Sequence, residues 1–307
     1  MGLRVRTNVQ SLIAQRNMQS STEEVGKASE RLASGYRINK GADDAAGYAI
    51  SEVLRADIRS LGQARRNAND GVSLVEVAEG GLGEVNNIMV RLRELSIQAA
   101  SDTIGTRERQ YLNQEFFALK DEVDRIALST EFNGTRLLTG NTELPEEMRM
   151  HSNQSPLEIQ VGKDYYLAVD SLESRNPNDI IRIDMSYLNA FTEGEGSLGI
   201  GSTANAEGTR IDSKQGAQLS INKIDGAMQQ VASYRASLGA IQNRLEKTDK
   251  AIARQVEALT SANSRIKDVD FASETANMTQ QNILQQAGAS VLAQANSQPQ
   301  IVLKLLQ

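Results

Sequence analysis

Proline placement is the feature that most constrains this chain. There are four prolines, Pro145, Pro156, Pro177 and Pro299, and three of them crowd into one short central stretch. Residues 1–144 and 178–298 contain none. A proline ring removes a donor from the helical ladder and clashes with the preceding turn, so proline-free arms are open to very long helices. The middle is marked as a different kind of structure.

Charge divides the chain at the same places. Residues 141–207 hold 12 acidic and 4 basic side chains, a net of −8 in a chain whose total is −6. The arms are close to neutral, and an acidic, Gly/Asn-rich insert between them is expected to face solvent. Apolar spacing in the arms is helical. Val85, Ile88, Leu92, Leu95 and Ala99 form one stripe, and Leu112, Phe116, Leu119, Val123 and Ile126 another. A third runs from Ile221 through Ile224, Met228, Val231, Leu238, Ile241, Leu245, Thr248, Ile252 and Val256 to Leu259, with Arg235 in one slot. Alternating steps of three and four put these groups on one helix face, the pattern of a coiled-coil or bundle seam. At 1.5 Å per residue the third stripe alone extends about 60 Å.

Borders follow from local chemistry. Asp43 and Asp44 precede a helix starting near Ala45 and suit its N-terminal dipole. Ser101-Asp102 and Gly105-Thr106 separate the second helix from the third, and Asn133-Gly134 is read as the third helix's stop. Within the insert, 157–161 and 181–185 alternate with period two, which predicts a small antiparallel hairpin. At the chain ends, Val5, Val9, Leu12 and Ile13, then Val25, Ala28 and Leu32, form a stripe broken by Ser20-Ser21-Thr22. Ile283, Ala287, Val291 and Ala295 recur every fourth residue, as do Leu284, Gly288 and Leu292, and the tail 301–306 is apolar. The two termini are expected to bury these stripes against each other and to stay sticky until a partner covers them.

The predicted fold is therefore mainly α: a long helical bundle or coiled coil built from both chain ends, a small antiparallel β-hairpin insert, and no large outer domains. Residues 1–42 and 263–307 form the terminal coiled coil, 43–140 and 208–262 a central helical bundle, and 141–207 the insert.

Composition argues against most chemistry. Cysteine and tryptophan are absent and histidine occurs once, at His151. Thiolate metal sites, disulfides and cysteine nucleophiles are thereby excluded. An acidic chain with 7 Tyr and 5 Phe is a poor match for nucleic acid. Residues 194–199 spell GxGxxG, yet no alternating strand precedes them and more loop residues follow, so they read as a glycine loop rather than a dinucleotide site. Paired carboxylates such as Glu23-Glu24 are caps or solvated faces, and Asn133-Gly134-Thr135 and Asn277-Met278-Thr279 match the glycosylation sequon. No catalytic residue, cofactor, metal or enzymatic activity is expected. No stretch approaches the roughly 20 apolar residues of a membrane span, so no membrane insertion is expected. Residues 1–19 lack the unbroken apolar run of a secretory signal.

One set of motifs is specific. Ser29-Glu30-Arg31-Leu32-Ala33-Ser34-Gly35-Tyr36-Arg37-Ile38-Asn39, followed by Asp43-Asp44-Ala45-Ala46-Gly47, closely resembles the N-terminal signature of bacterial flagellin. The likeness continues through 66–71, Ala78-Glu79-Gly80, Arg93-Glu94-Leu95 and Glu131-Phe132-Asn133-Gly134. It resumes at 237–244, Arg265-Ile266-Lys267-Asp268-Val269-Asp270-Phe271-Ala272 and 285–296. The resemblance implies a subunit that polymerises into the flagellar filament for motility. Such subunits leave the cell unfolded through the flagellar type III apparatus, without a cleaved signal, to an extracellular location. A periplasmic or membrane-sheathed filament stays open. The alternative is the hook–filament junction protein, which shares this two-ended plan but typically carries a proline after the paired aspartates.

The resemblance also implies partners: further copies of the chain, an export chaperone, the filament cap and hook-associated proteins, and an animal Toll-like receptor. The receptor-like face and axial subunit contact would use Arg91, Leu95 and Glu115. The chaperone and assembly face would use Ile283, Leu284, Val291, Leu292, Val302, Leu305 and Leu306. The helical seam is assigned to Val85, Ile88, Leu92, Leu112, Phe116, Leu119, Leu238, Leu245 and Ile252.

Overall fold

A computed structural model describes residues 8–140, 156–164, 179–194, 196–201 and 208–305, with side chains to residue 297. Among the described residues five helices carry the fold: α1 (Val9–Ser34), α2 (Ala45–Ala99), α3 (Thr106–Ser129), α4 (Lys214–Lys267) and α5 (Phe271–Leu305). Two small antiparallel pairs join them: β1 (Glu131–Phe132) with β2 (Thr135–Arg136), and β3 (Leu157–Gln160) with β4 (Ile180–Ile183). Contacts divide the chain into 1–59 with 256–307, and 60–255. The division thus falls inside the long helices α2 and α4, not at the loops that bound them, because no chain break is needed where one continuous helix serves two packing environments.

In the larger unit, α2 presents Leu61, Ala64, Ala68, Gly71, Val75, Ala78, Leu82, Val85, Met89, Leu92, Ser96 and Ala99 as an unbroken buried heptad stripe. In α4 the matching stripe is Ala217, Ser220, Ile224, Ala227, Val231, Tyr234, Leu238, Leu245 and Ile252. A strict seven-residue repeat keeps such a seam facing its partner. Ion pairs Arg65–Asp249, Arg235–Glu79 and Arg93–Asp225 join the two helices in antiparallel order. α3 adds Phe116, Lys120, Val123 and Ala127.

The seam centre differs from the sequence reading at several positions. The slots assigned to Ile221, Met228 and Arg235 belong to Ser220, Ala227 and Tyr234, one residue earlier. In α2 and α3 the shift is one residue later, placing Met89 rather than Ile88, and Lys120 rather than Leu119, fully inside. Small side chains let helices approach closely, and larger neighbours then close the flanks half-buried. Arg235 ceases to be an anomaly, since it lies outside the seam.

The insert is not a solvent-facing appendage in its described residues. Ile181, Ile183, Leu188, Ala190, Leu198 and Ile200 are all less than 5% exposed and belong to the core of the larger unit. Hairpin β3–β4 pairs Leu157 with Ile183 and Ile159 with Ile181. Its alternating pattern buries one face as period-two patterning requires. Net charge misled here because acidic side chains such as Glu158 alternate with apolar ones that point inward. Asn133-Gly134 is also corrected: α3 ends at Ser129, where the Thr130 amide donates to Ile126 O at 3.0 Å. The dipeptide is instead the turn between β1 and β2, with φ +49° and +76°, the two positive values a tight hairpin turn demands. Gly194, Gly196 and Gly199 all have positive φ in a loop, and among the described residues no strand directly precedes them and no helix directly follows.

Candidate assembly face

The unit made from both chain ends is where the functional residues gather. α1 runs without interruption from Val9 to Ser34, so the polar Ser20-Ser21-Thr22 does not break it. Its N-cap is Asn8, whose Oδ1 accepts the Ser11 amide at 3.1 Å, and its C-cap is Gly35 at φ +75°. Antiparallel to it lies α5. Asn8 Nδ2 donates to Ala295 O at 2.7 Å, Gln285 Nε2 to Thr22 Oγ1 at 3.0 Å, and Arg31 meets Glu274 at 3.4 Å. Asp270 starts α5 by accepting the Ala272 amide at 3.0 Å.

The joint between these elements is held by backbone. Arg37 N donates to Lys267 O at 2.6 Å, Val269 N to Gly35 O at 3.0 Å, and the Arg37 guanidinium to Ile266 O at 2.7 Å. Lys267 lies over the rings of Tyr36 and Tyr48 and reaches Glu52. Sequence reasoning singled out this stretch by its motif but assigned it no role. At the start of α2, Asp44 Oδ1 takes the Gly47 amide at 2.9 Å. Asp43 turns back to accept the Asn39 and Lys40 amides, and these backbone hydrogen bonds hold its carboxyl below the ordinary range.

What this coil buries is not what its apolar pattern suggests. The facing positions are Ala14, Ala28 and Ala295, buried, with Met18, Ser21, Val25, Met278, Gln285, Gly288 and Leu292 half-buried. The large apolar groups face outward: Leu12 is 58% exposed, Ile283 60%, Val291 57%, and Val9, Ile13, Leu284 and Phe271 are also open. Phe271, Ala272, Thr275, Ala276, Thr279, Gln280, Ile283 and Leu284 line one shallow, mostly apolar groove along α5. The expectation that the termini bury these stripes against each other is corrected in part: Val25, Ala28, Gly288, Leu292 and Ala295 lie in the seam, whereas Val9, Leu12, Ile13, Ile283, Leu284 and Val291 do not. Close approach of two helices selects the Ala/Ser/Gly stripe, leaving the bulkier stripe outside.

Of the chaperone and assembly residues, Ile283, Leu284 and Val291 share the exposed side, whereas Leu292 sits half-buried on the α1 side. Val302, Leu305 and Leu306 lie outside the residues whose side chains are described. In the larger unit, Arg91 and Glu115 meet: Arg91 donates to Glu115 Oε1 at 2.7 and 3.0 Å, and to Glu94 Oε2 at 3.1 Å. The hydrogen bond it donates to Glu115, then that to Glu94, raises the guanidinium's affinity for its proton. Leu95 is fully buried, on the core side of α2, and cannot join Arg91 and Glu115 in a surface contact. Among the seam residues, Val85, Leu92, Phe116, Leu238, Leu245 and Ile252 are buried, and Ile88, Leu112 and Leu119 half-buried. His151 lies outside the described residues.

Comparison with known proteins agrees with this architecture. The family described as the bacterial flagellin N-terminal helical region matches residues 5–143, and the bacterial flagellin C-terminal helical region matches residues 221–306. The chain is 38% identical over 303 residues to flagellin of Halalkalibacterium halodurans, covering 99% of each chain. It is 38% identical over 320 residues to flagellin of Bacillus subtilis, covering 99% of this chain and 100% of that one. Flagellin FlaB1 of Treponema pallidum is 35% identical over 303 residues, with 99% of both chains covered. A putative flagellar hook-associated protein of Vibrio parahaemolyticus has a similar structure, with a TM-score of 0.54, covering 74% of this chain and 100% of that chain. At 14% identity it shares the fold alone. Two-ended helical pairing and full-length matches define a structural protein of the flagellar filament. The chain belongs to the bacterial flagellin family and is a subunit of that filament, outside the cell.

Proposed function

We propose that this subunit polymerises through the outward apolar faces of α1 and α5. The observation that carries the reading is the inverted coil: its fully buried positions are the small Ala14, Ala28 and Ala295, while Leu12, Ile13, Ile283 and Val291 stay open to water. Packing these groups against further copies removes apolar area worth about 25 cal/mol per Å². Residues 1–42 and 263–307 then form the inner domain of the polymer, 43–140 and 208–262 the next layer. Before assembly, an export chaperone covers the α5 side through Ile283, Leu284 and Val291, extending to Val302, Leu305 and Leu306. A chain without disulfides, and with α1 to α4 free of proline, suits export in the unfolded state through the type III apparatus and local refolding beneath the filament cap, beyond the hook-associated proteins. The Arg91–Glu115 pair supplies an axial contact between subunits, on a face open to an animal Toll-like receptor.

The test is a full-length Ile283→Asp/Val291→Asp chain. Its melting temperature should match the parent's while electron microscopy after salt-induced assembly finds no filaments. Normal filaments from that variant would overturn the reading.

A further inference from the structure

The larger unit carries two charged helix faces of opposite sign. On α2, residues 67–90 hold four acidic side chains and no basic one. Glu79 meets Arg235 of α4. The other three, Asp70, Glu76 and Glu84, are exposed, and among the described residues none has a hydrogen bond or ion pair. Asp70, Val77 and Glu84 recur every seventh residue, on the side away from the buried Val75, Ala78 and Leu82. Between the carboxylates lie Val77, 39% exposed, and Gly80, where an added Cβ would meet nothing within 4 Å. Glycine inside a helix weakens it, and no contact within the chain makes use of the space.

On α4 the corresponding face is basic. Lys247, Lys250 and Arg254 are exposed and likewise unpaired among the described residues. Lys247, Ala251 and Arg254 step by four and three, on the side away from the buried Leu245 and Ile252. Lys250 and Arg254 stand four apart, a spacing at which like charges repel along a helix. A solvated surface of mixed sign needs no partner. Two faces of single and opposite sign, each with a small residue at its centre, are complementary in charge and permit close approach.

We propose that the α2 face of one subunit docks on the α4 face of a second copy, Asp70, Glu76 and Glu84 meeting Lys247, Lys250 and Arg254. Val77 and Gly80 then pack over Ala251. This rests on the reading that the chain polymerises, and adds a contact between larger units to the one made by the chain ends. Because Arg65 meets Asp249, the basic face lies level with the part of α2 around Arg65. At 1.5 Å per residue that is about 20 Å along α2 from the centre of the acidic face. Different patches at different levels make a head-to-tail contact, and a stagger repeated from copy to copy gives an open helical polymer.

Charge exchange in the full-length chain tests this. Lys247→Glu/Lys250→Glu/Arg254→Glu and Asp70→Lys/Glu76→Lys/Glu84→Lys should each keep the parent's circular-dichroism melt. At low ionic strength each should polymerise about tenfold more slowly than the parent, with the deficit shrinking as salt is added. The chain carrying both sets should regain the parent's rate and extend its own sheared filaments but not the parent's. Single sets that polymerise like the parent would overturn the proposal. So would a doubly exchanged chain that stays slow, or one that extends both kinds of filament equally. The chain has no cysteine, so Val77→Cys/Ala251→Cys supplies a readout that alters no charge. Oxidation of its filaments should link chains into a ladder on a denaturing gel; single chains or closed dimers alone would overturn the contact. Ile283→Asp/Val291→Asp keeps both charged faces, so its outcome judges the terminal reading separately.

Discussion

The two units use the same heptad grammar for opposite ends. In the larger one, Leu82, Val85, Met89 and Leu92 of α2 and Val231 and Leu238 of α4 are fully buried, so large aliphatics close a core within one chain. In the terminal one, Ala14, Ala28 and Ala295 take the seam and the large aliphatics are left outside. A seam built from alanine and glycine gains little by burial, since hydrophobic stabilisation scales with apolar area removed from water. The lesson is that periodicity identifies a helix face without saying whether the partner for it lies in the same chain.

That contrast is open to direct attack. The largest effect should come from replacing residues 141–207 with a short Gly/Ser turn. Fully burying each of Ile181, Ile183, Leu188 and Ile200 contributes about 1.5–3 kcal/mol, so their joint loss rivals a domain's entire margin. Circular dichroism should show the larger unit melting far lower or not folding, and an unchanged melt would return the insert to solvent. Leu238→Asp comes next, since an unpaired carboxylate on the fully buried α4 seam costs several kcal/mol. Its urea midpoint should collapse; a midpoint like the parent's would mean the seam is misplaced.

Gly71 gives a smaller, more local test. A Cβ there would collide with Ile159 Cδ1 and sit 3.3 Å from Leu245 Cδ1, so the ends of those two side chains would have to shift. Gly71→Val should destabilise by about 1–3 kcal/mol through overpacking. No loss would show that the hairpin gives way. In the terminal coil, Leu12→Asp should change monomer stability by no more than about 0.5 kcal/mol, because the side chain is already 58% exposed. A loss as large as that of Leu238→Asp would erase the distinction between the units. The smallest effect is expected from Arg91→Ala. Its ion pair with Glu115 is exposed and screened, so the melting curve should stay where it is while salt-induced polymerisation slows.

Much of this was legible before any coordinates. The proline gap around α2 and α4, the capping Asp44 and the alternation in β3 and β4 all act through local backbone chemistry, which sequence carries directly. The Arg91–Glu115 pair was named from motif alone, but its third partner Glu94 and the inward side of Leu95 needed the helix's rotation. Lys120 gave no signal, because a lysine beside Asp121 and Glu122 looks like any solvated face. Nor did Ser220, Ala227 and Tyr234, each lying beside a residue more apolar or more conspicuous than itself.

Sequence by itself determined that this chain makes long heptad helices from both ends, interrupted by a hairpin, and that it is a flagellin. Those properties rest on interactions a few residues apart and on motifs read in order. Only the tertiary structure decided which stripe of each helix is inside. That choice depends on how closely two backbones approach. Helix separation is set jointly by residues hundreds of positions apart, such as Asn8 and Ala295 or Met18 and Gly288.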